Sequence, residues 1–286
     1  MDLSIIIVSW NVREKLIENL DAVLKSDGRF GYEIFVSDND SEDGTAETLR
    51  RKFPQVKLIE NKENLGFAKA NNLALKYASG RYVLLLNPDM RVFPDTLDNM
   101  ISWMDNHREA GAAGCRLINE KGRIIRQVRR LPNVWNQLAI ILKLPHIFHS
   151  IIHDYLRSDF DYGSEAEVDS LRGSFLMIRS EVIEKIGGLD ERFFVWFEDV
   201  DYCRRIKEAG WKVMYTPEAE CLDHVGQSFG QLKRGKAQKY FQESMLKYFL
   251  KWGTKGQYRL LKMAWPLGRF MAIFGSFLGI KNKAKT

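Results

Sequence analysis

Cysteine is scarce in this chain, and Cys115, Cys203 and Cys221 are scattered without a Cys-x-x-Cys pair. That pattern excludes a disulfide framework and a structural zinc site, and it points to a reducing compartment. No basic segment precedes the first apolar run, which is only strand-sized, so no signal peptide is read and the protein is expected in the cytoplasm. After that run stands Trp10-Asn11-Val12 rather than Gly-x-Gly-x-x-Gly, which argues against a dinucleotide-binding dehydrogenase. It argues equally against a nucleotidyltransferase, which would want a basic glycine-rich loop there. The net charge is +6, yet no motif of basic residues interleaved with aromatics marks a nucleic-acid binder.

What is present suffices for a large core: 286 residues, 45% of them hydrophobic and 12% aromatic, form one large or two modest domains. Strand-sized apolar runs at 3–9, 33–37, 57–60 and 82–86 alternate with helical patterns at 12–25, 45–53 and 68–79. That alternation predicts right-handed βαβ units and a parallel sheet. Gly66 and Gly80 punctuate the later units, the second where a helix C-cap glycine belongs. A helix follows at 94–104, then segments 111–116 and 123–130 that read as edge strands or loops. Residues 131–170 form an insertion, helical and aromatic at first and a mobile loop at 158–170. A strand at 175–178, a helix at 181–186 and a helix at 202–209 complete the core.

Four segments carry chemistry. Asn87-Pro88-Asp89 directly follows Tyr82-Val83-Leu84-Leu85-Leu86, so Asp89 stands at the carboxyl end of a buried strand, where open α/β sheets bind ligands. The segment from Asp38 to Thr45 places acids between a strand and a helix. Asp38 is suited to accept from a nucleobase or ribose, while Ser41 or Asp43 reads as a helix cap. Asn64-Leu65-Gly66-Phe67 opens a helix whose N-terminus suits a phosphate or ribose. Behind Phe193-Phe194-Val195-Trp196-Phe197, the acids Glu198, Asp199 and Asp201 fall near a helix start, where the dipole favours ionised carboxylates.

In this order, and together with Ser4 to Asn11, Gly188 to Phe194 and His224-Val225-Gly226-Gln227-Ser228, these segments resemble the family 2 glycosyltransferases, most of all the bacterial rhamnosyltransferase type. The resemblance implies a GT-A fold, a Rossmann-like and mainly parallel sheet flanked by helices, over residues 1–230. Residues 131–170 become an acceptor-side insertion, and 231–286 a basic helical extension. It implies a nucleotide-diphospho-sugar donor, dTDP-rhamnose or a UDP-sugar, and a glycan or lipid-linked glycan acceptor. Asp38 would bind the base, with Asn64, Gly66 and Phe67 shaping its pocket. Ser9, Asn11, Asn71, Asn87, Arg172, Gly173 and Trp196 complete the substrate site. Asp89 and His224 would hold a divalent metal, Mn2+ or Mg2+, with Asn87 offering only a neutral oxygen where the family motif has a second aspartate. Asp199 is the expected base and Glu198 its alternative, while Asp201 orients the site or a neighbouring arginine.

The tail sets Phe270, Ile273, Phe274, Phe277 and Leu278 at helical spacing ahead of Lys281, Lys283 and Lys285. Its apolar piece is shorter than the roughly 20 residues needed to span a bilayer. It reads as an interfacial helix on an anionic membrane, placing the protein at the inner face of the cytoplasmic membrane, or else as a helix packed on the catalytic domain.

Overall fold

Runs of branched and long apolar residues decide the centre of the fold. Nearly every side chain of β1 (Leu3–Ser9) and β4 (Tyr82–Leu86) is buried, as a strand covered by helices on both faces requires. The computed structural model describes residues 1–26, 28–224 and 234–277 and sets these two strands side by side within a nine-stranded sheet. The remaining strands are β2 (Tyr32–Asp38), β3 (Lys57–Glu60), β5 (Met90–Val92), β6 (Ala110–Ile118), β7 (Ala166–Glu167), β8 (Phe175–Arg179) and β9 (Lys212–Asp223). Their order is β3-β2-β1-β4-β8-β6-β9-β5, with β7 on β9. The first four pair in parallel. Beyond β4 the sheet is mixed, because β8 runs antiparallel to both β4 and β6, and β5 and β7 antiparallel to β9.

The period of two along each strand divides the core into two layers. Ile5, Ile7, Leu84 and Leu86 face α1 (Arg13–Leu24), α2 (Thr45–Lys52) and α4 (Thr96–Asn106). Ile6, Val83 and Leu85 face α3 (Gly66–Leu75), α6 (Ser180–Ile186) and α7 (Glu198–Glu208).

Several expectations change. Gly80 does not cap α3, which ends at Leu75. Glycine is needed there because a Cβ would sit 2.5 Å from the Ser4 backbone nitrogen and 2.7 Å from the Leu3 carbonyl carbon. Segment 111–116 is no edge: β6 lies between β8 and β9, its alanines and glycines packed under neighbouring elements. The 158–170 segment is tied in by β7 and by buried Tyr162 and Val168. Helix α7 begins at Glu198 rather than 202, so the three acids occupy its first turn.

The register gathers chemistry at one sheet edge. Ser9 pairs with Asp38, Leu86 with Phe175, and Met90 with Asp223, so the ends of β1, β2, β4 and β9 and the start of β8 share that edge. The insertion supplies α5 (Val134–Ile141), capped by Asn133. The C-terminal region supplies α8 (Arg234–Trp252) and α9 (Lys255–Phe277). Met245, Tyr248 and Phe249 of α8, with Leu261 and Trp265 of α9, form one apolar cluster with Val134, Ile141, Phe193 and Phe197. The expected boundary at 230 and the motif residues Val225 to Ser228 lie outside the described residues, as do Leu278, Lys281, Lys283 and Lys285.

Asp201 anchors this arrangement. Fully buried, it accepts from Trp252 Nε1 at 2.7 Å and Arg205 Nε at 3.1 Å, and pairs with Lys251 Nζ at 2.7 Å. Replacing it with alanine takes the carboxylate from Arg205 and leaves Lys251 with Asp190 alone. Asp201→Ala is expected to cost about 3–5 kcal/mol, read as a lowered urea midpoint.

Candidate active site

The cleft is built around a tight turn. Asn87 donates its N–H to the Ser174 carbonyl, and its own carbonyl accepts from Met90 N and from Asn19 Nδ2 on α1. Pro88 supplies the fixed φ, and the turn delivers Asp89, 4% exposed, to the edge. Because Met90 lies opposite Asp223, Asp89 comes opposite His224, whose N–H donates to the Asp89 carbonyl at 3.1 Å. The two expected metal ligands are thus backbone neighbours. His224 Nδ1 lies 2.7 Å from Glu120 Oε1. A carboxylate on one ring nitrogen is the arrangement found behind metal-bound histidines, and here the other nitrogen, Nε2, lies 3.7 Å from Glu18 Oε2. Among the described residues no group of three or more His, Cys, Asp or Glu is disposed to hold a metal. The donor set of Asp89 and His224 therefore suits an ion only when a ligand's oxygens complete its shell.

On the nucleotide side, Asp38 is 3% exposed and burial raises its pKa, against the opposing bonds from Ser41. Ser41 Oγ donates to it at 2.6 Å and Ser41 N at 3.1 Å. Ser41 is therefore a clasp rather than a helix cap: its Oγ also accepts from Asn11 N. Asp43 comes closer to the capping expectation, accepting from Thr45 N, though the N-cap position itself is Gly44. Asn11, at φ 51°, binds Glu42 N through its side chain. The cleft itself is lined by the next residue, Asn39, whose Nδ2 donates to the Gly66 carbonyl at 3.1 Å.

Gly66 has φ +78°, and the N–H of Phe67 donates to the Phe194 carbonyl at 2.7 Å. This bond ties the start of α3 to the aromatic segment, where Trp196 and Phe197 both adopt positive φ, 65° and 67°. Left-handed bulky residues are costly and gather at functional sites. They turn the chain so that α7 starts with Glu198 and Asp199. Asp199 accepts from Gly173 N at 3.0 Å and Val200 N at 2.8 Å. Gly173 in turn packs beside Phe67.

The dipole does not dominate these acids as expected. Burial raises the pKa of Asp199, opposed by the two backbone donors and Arg172. Burial and the adjacent Asp199 charge push Glu198 well above the usual carboxylate range, and its Oε2 has no hydrogen-bond partner among the described residues. The chain thus distinguishes the two acids: hydrogen bonds favour the ionised form of Asp199, and nothing comparable does so for Glu198.

Of the expected substrate residues, Asn64, Gly66, Phe67 and Asn87 line one cleft of about 870 Å³, its open mouth included. Ser9 and Asn71 lie behind it, each with a buried oxygen that has no partner among the described residues. Arg172 pairs with Asp223 at 3.3 Å. Trp196 meets Phe241 of α8 edge-on. Trp10, Asn39, Phe194, Lys236 and Tyr240 also line the cleft without having been singled out. Lys236 and Tyr240 sit at i, i+4 on α8, and Tyr240 stacks on Phe194 at 4.5 Å. Only their spacing on one helix face signalled them.

The family model described as Glycosyl transferase family 2 matches residues 4–161, more than half of the chain. The chain is 28% identical over 209 residues to the N-acetylglucosaminyl-diphospho-decaprenol L-rhamnosyltransferase of Mycobacterium tuberculosis, covering 69% of this chain and 68% of that one. It is 27% identical over 233 residues to rhamnosyltransferase WbbL of Escherichia coli, covering 77% and 83%. Among solved structures it is similar to the mannosyltransferase PcManGT from Pyrobaculum calidifontis, in complex with GDP-Man and Mn2+. The TM-score is 0.60 at 21% identity, covering 96% of this chain and 74% of that chain. S. aureus TarS in complex with UDP-GlcNAc gives 0.55 at 17% identity, covering 100% and 76%. These likenesses show the fold, GT-A.

The turn at Gly66 admits no side chain, since a Cβ would lie 2.4 Å from the Phe194 carbonyl oxygen. Gly66→Ala also forces a left-handed alanine, which costs about 1–3 kcal/mol. A lowered melting temperature and weaker calorimetric binding of UDP or dTDP are expected together.

Proposed function

The chain belongs to glycosyl transferase family 2, and we propose that it moves a sugar from dTDP-rhamnose or a UDP-sugar to a hydroxyl of a growing, lipid-linked cell-surface glycan, with inversion. The observation that carries the reading is Asp199, a carboxylate oriented by the Gly173 and Val200 N–H groups beside Phe67 of the cleft. In a single displacement the acceptor oxygen bonds to the anomeric carbon as the bond from that carbon to the diphosphate breaks. Asp199 takes the acceptor's proton, and the nucleoside diphosphate leaves with the bonding pair. The rhamnosyltransferase relatives support a deoxyhexose donor and a diphospholipid-borne acceptor.

Asp89 and His224 would hold Mn2+ or Mg2+, which when bound neutralises charge on the leaving diphosphate. The Mn2+ complex of PcManGT supports that assignment. Asn64, Gly66 and Phe67 receive the nucleoside, Asp38 and Asn39 fix the walls around it, and Glu198, its pKa raised by burial, lies behind the base. Residues 1–230 carry the donor site, 131–170 the acceptor side, and 231–286 the basic helical extension, from which Lys236 and Tyr240 line the cleft.

A panel of nucleotide sugars, assayed with Mg2+, Mn2+ and chelator, tests the reading. Turnover is expected with one donor and is expected to fall with chelator. Asp199→Asn should lower turnover by about 10²–10⁴-fold with donor affinity unchanged; near-normal transfer would remove Asp199 from the mechanism. Since burial raises its pKa above that of an ordinary aspartate, activity falls as pH drops through that raised value.

The protein works at an anionic membrane face. Leu261 and Trp265 of α9 are buried, whereas Met263 is 70% exposed and Leu267 53%. The helix carries Lys255, Arg259, Lys262 and Arg269 and no acid. No described helix is long and apolar enough to cross a membrane, and an apolar stripe beside cations suits the interface. Met263→Glu with Leu267→Glu should reduce flotation with anionic vesicles several-fold while leaving transfer to a soluble acceptor intact; equal flotation overturns the placement.

A further inference from the structure

The basic run at 123–130 has no part in the site described so far. Its last residues enter the edge beside the base. Arg129 and Ser170 exchange backbone hydrogen bonds, each N–H donating to the other's carbonyl at 3.1 Å, and Ser170 Oγ donates to the Arg129 carbonyl. Two residues beyond Ser170 stand Arg172 and the Gly173 whose N–H holds Asp199. Val128, before Arg129, is fully buried and takes the Tyr162 hydroxyl on its N–H. The pairing is therefore rigid and carries Arg129 to Arg172.

The charges there do not balance. Arg129 is partly buried and within electrostatic reach of both Arg126 and Arg172. Its Nη1 donates only to the carbonyl of Val128, and among the described residues neither Arg126 nor Arg129 has an ion-pair partner. Arg172 has Asp223. The adjacent Arg130 pairs with Asp154 at 2.7 Å, so acids are available along the insertion and are spent elsewhere. Burial lowers the pKa of Arg129, but an arginine does not shed its proton in a protein. Three guanidiniums face two carboxylates, Asp223 and Asp199, and the remaining positive charge lies at a partly desolvated spot, a state that an anionic ligand relieves. Planar forks of donors match phosphate oxygens bidentately.

We propose that Arg126, Arg129 and Arg172 form an anion subsite beside Asp199 that takes a diphosphate. The proposal rests on the glycosyltransferase reading only for the source of that group: the donor's leaving diphosphate, or a diphosphate joining the acceptor sugar to its lipid. Arg126 is exposed, and Arg129 is the more buried of the two.

The test uses the full chain and inorganic pyrophosphate, titrated calorimetrically in chelator. Arg126→Gln and Arg129→Gln are each expected to weaken binding about tenfold, the usual loss of a charge-assisted bond. Arg126→Gln, on an exposed residue, keeps the test valid if Arg129→Gln unfolds. Pyrophosphate displaced by UDP or dTDP assigns the subsite to the donor. Pyrophosphate retained beside them assigns it to the acceptor, and then the KM for a diphospholipid acceptor rises in both variants while that for a neutral alkyl glycoside does not. Equal pyrophosphate affinity in wild type and both variants overturns the subsite. Loss of pyrophosphate binding in the variants of a chain that transfers no sugar would keep the subsite and remove only the glycosyltransferase reading.

Discussion

The site depends on β4 having two different neighbours. Against β1 it runs parallel, so its end falls level with the ends of β1 and β2. Against β8 it runs antiparallel, so the residues before β8, Arg172 and Gly173, arrive at that same edge from the opposite direction. A wholly parallel sheet would send the start of the next strand to the far edge, and Gly173 would never meet Asp199. The reversal at β8 brings the nucleotide half, residues 1–89, against the half that carries the base. The Asn87–Met90 turn then seals the junction through Ser174 and Asn19.

The junction holds strained backbone, and the C-terminal helices keep it there. Trp196 and Phe197 occupy the left-handed region, a cost of about 1–3 kcal/mol each. Phe197 is offset by burial among Phe241, Tyr248 and Trp265. Ser244 Oγ holds the Val195 carbonyl at 2.8 Å, and Lys247 Nζ the Arg192 carbonyl. Asp190 and Asp201 clamp Lys251 from either side. The basic extension is thus a brace for the catalytic segment as well as a wall of the cleft. The outward stripe of α9, with Met263 and Leu267, faces away from this brace.

Much of this was legible in the sequence, for identifiable reasons. Strands buried on both faces declare themselves as unbroken apolar runs, which made β1, β2 and β4 plain. By contrast β9, with Pro217 and three acids, carries no such signal, and β6 is built of alanine and glycine whose value lies in close packing rather than hydrophobicity. Asp38 stood out as a carboxylate, yet at the end of β2 it points into bonds with Ser41, and the uncharged Asn39 forms the wall. The onset of α7 was displaced by four residues because Trp196 and Phe197 turn through conformations that their side chains disfavour. Lys236 and Tyr240 lie some 170 residues from Gly66 in sequence, and only tertiary packing could make them neighbours.

The uncharged Asn87 takes on meaning from this geometry. With a second carboxylate in the turn, two anions would neutralise a divalent ion before any substrate arrived. Asp89 with an imidazole would leave an ion more of its charge to direct at a diphosphate. Glu120 polarises His224 from behind without adding a charge to the coordination shell. Asp223 is turned toward Arg172. The protein therefore spreads positive potential along the edge from Asp89 through Arg172 to Arg129 and Arg126. Asp199 stands beside that band, its ionisation favoured by the Gly173 and Val200 N–H groups. A carboxylate flanked by cations remains anionic at lower pH than its burial alone would allow, which would let one edge hold both the proposed base and the arginines proposed to receive a diphosphate.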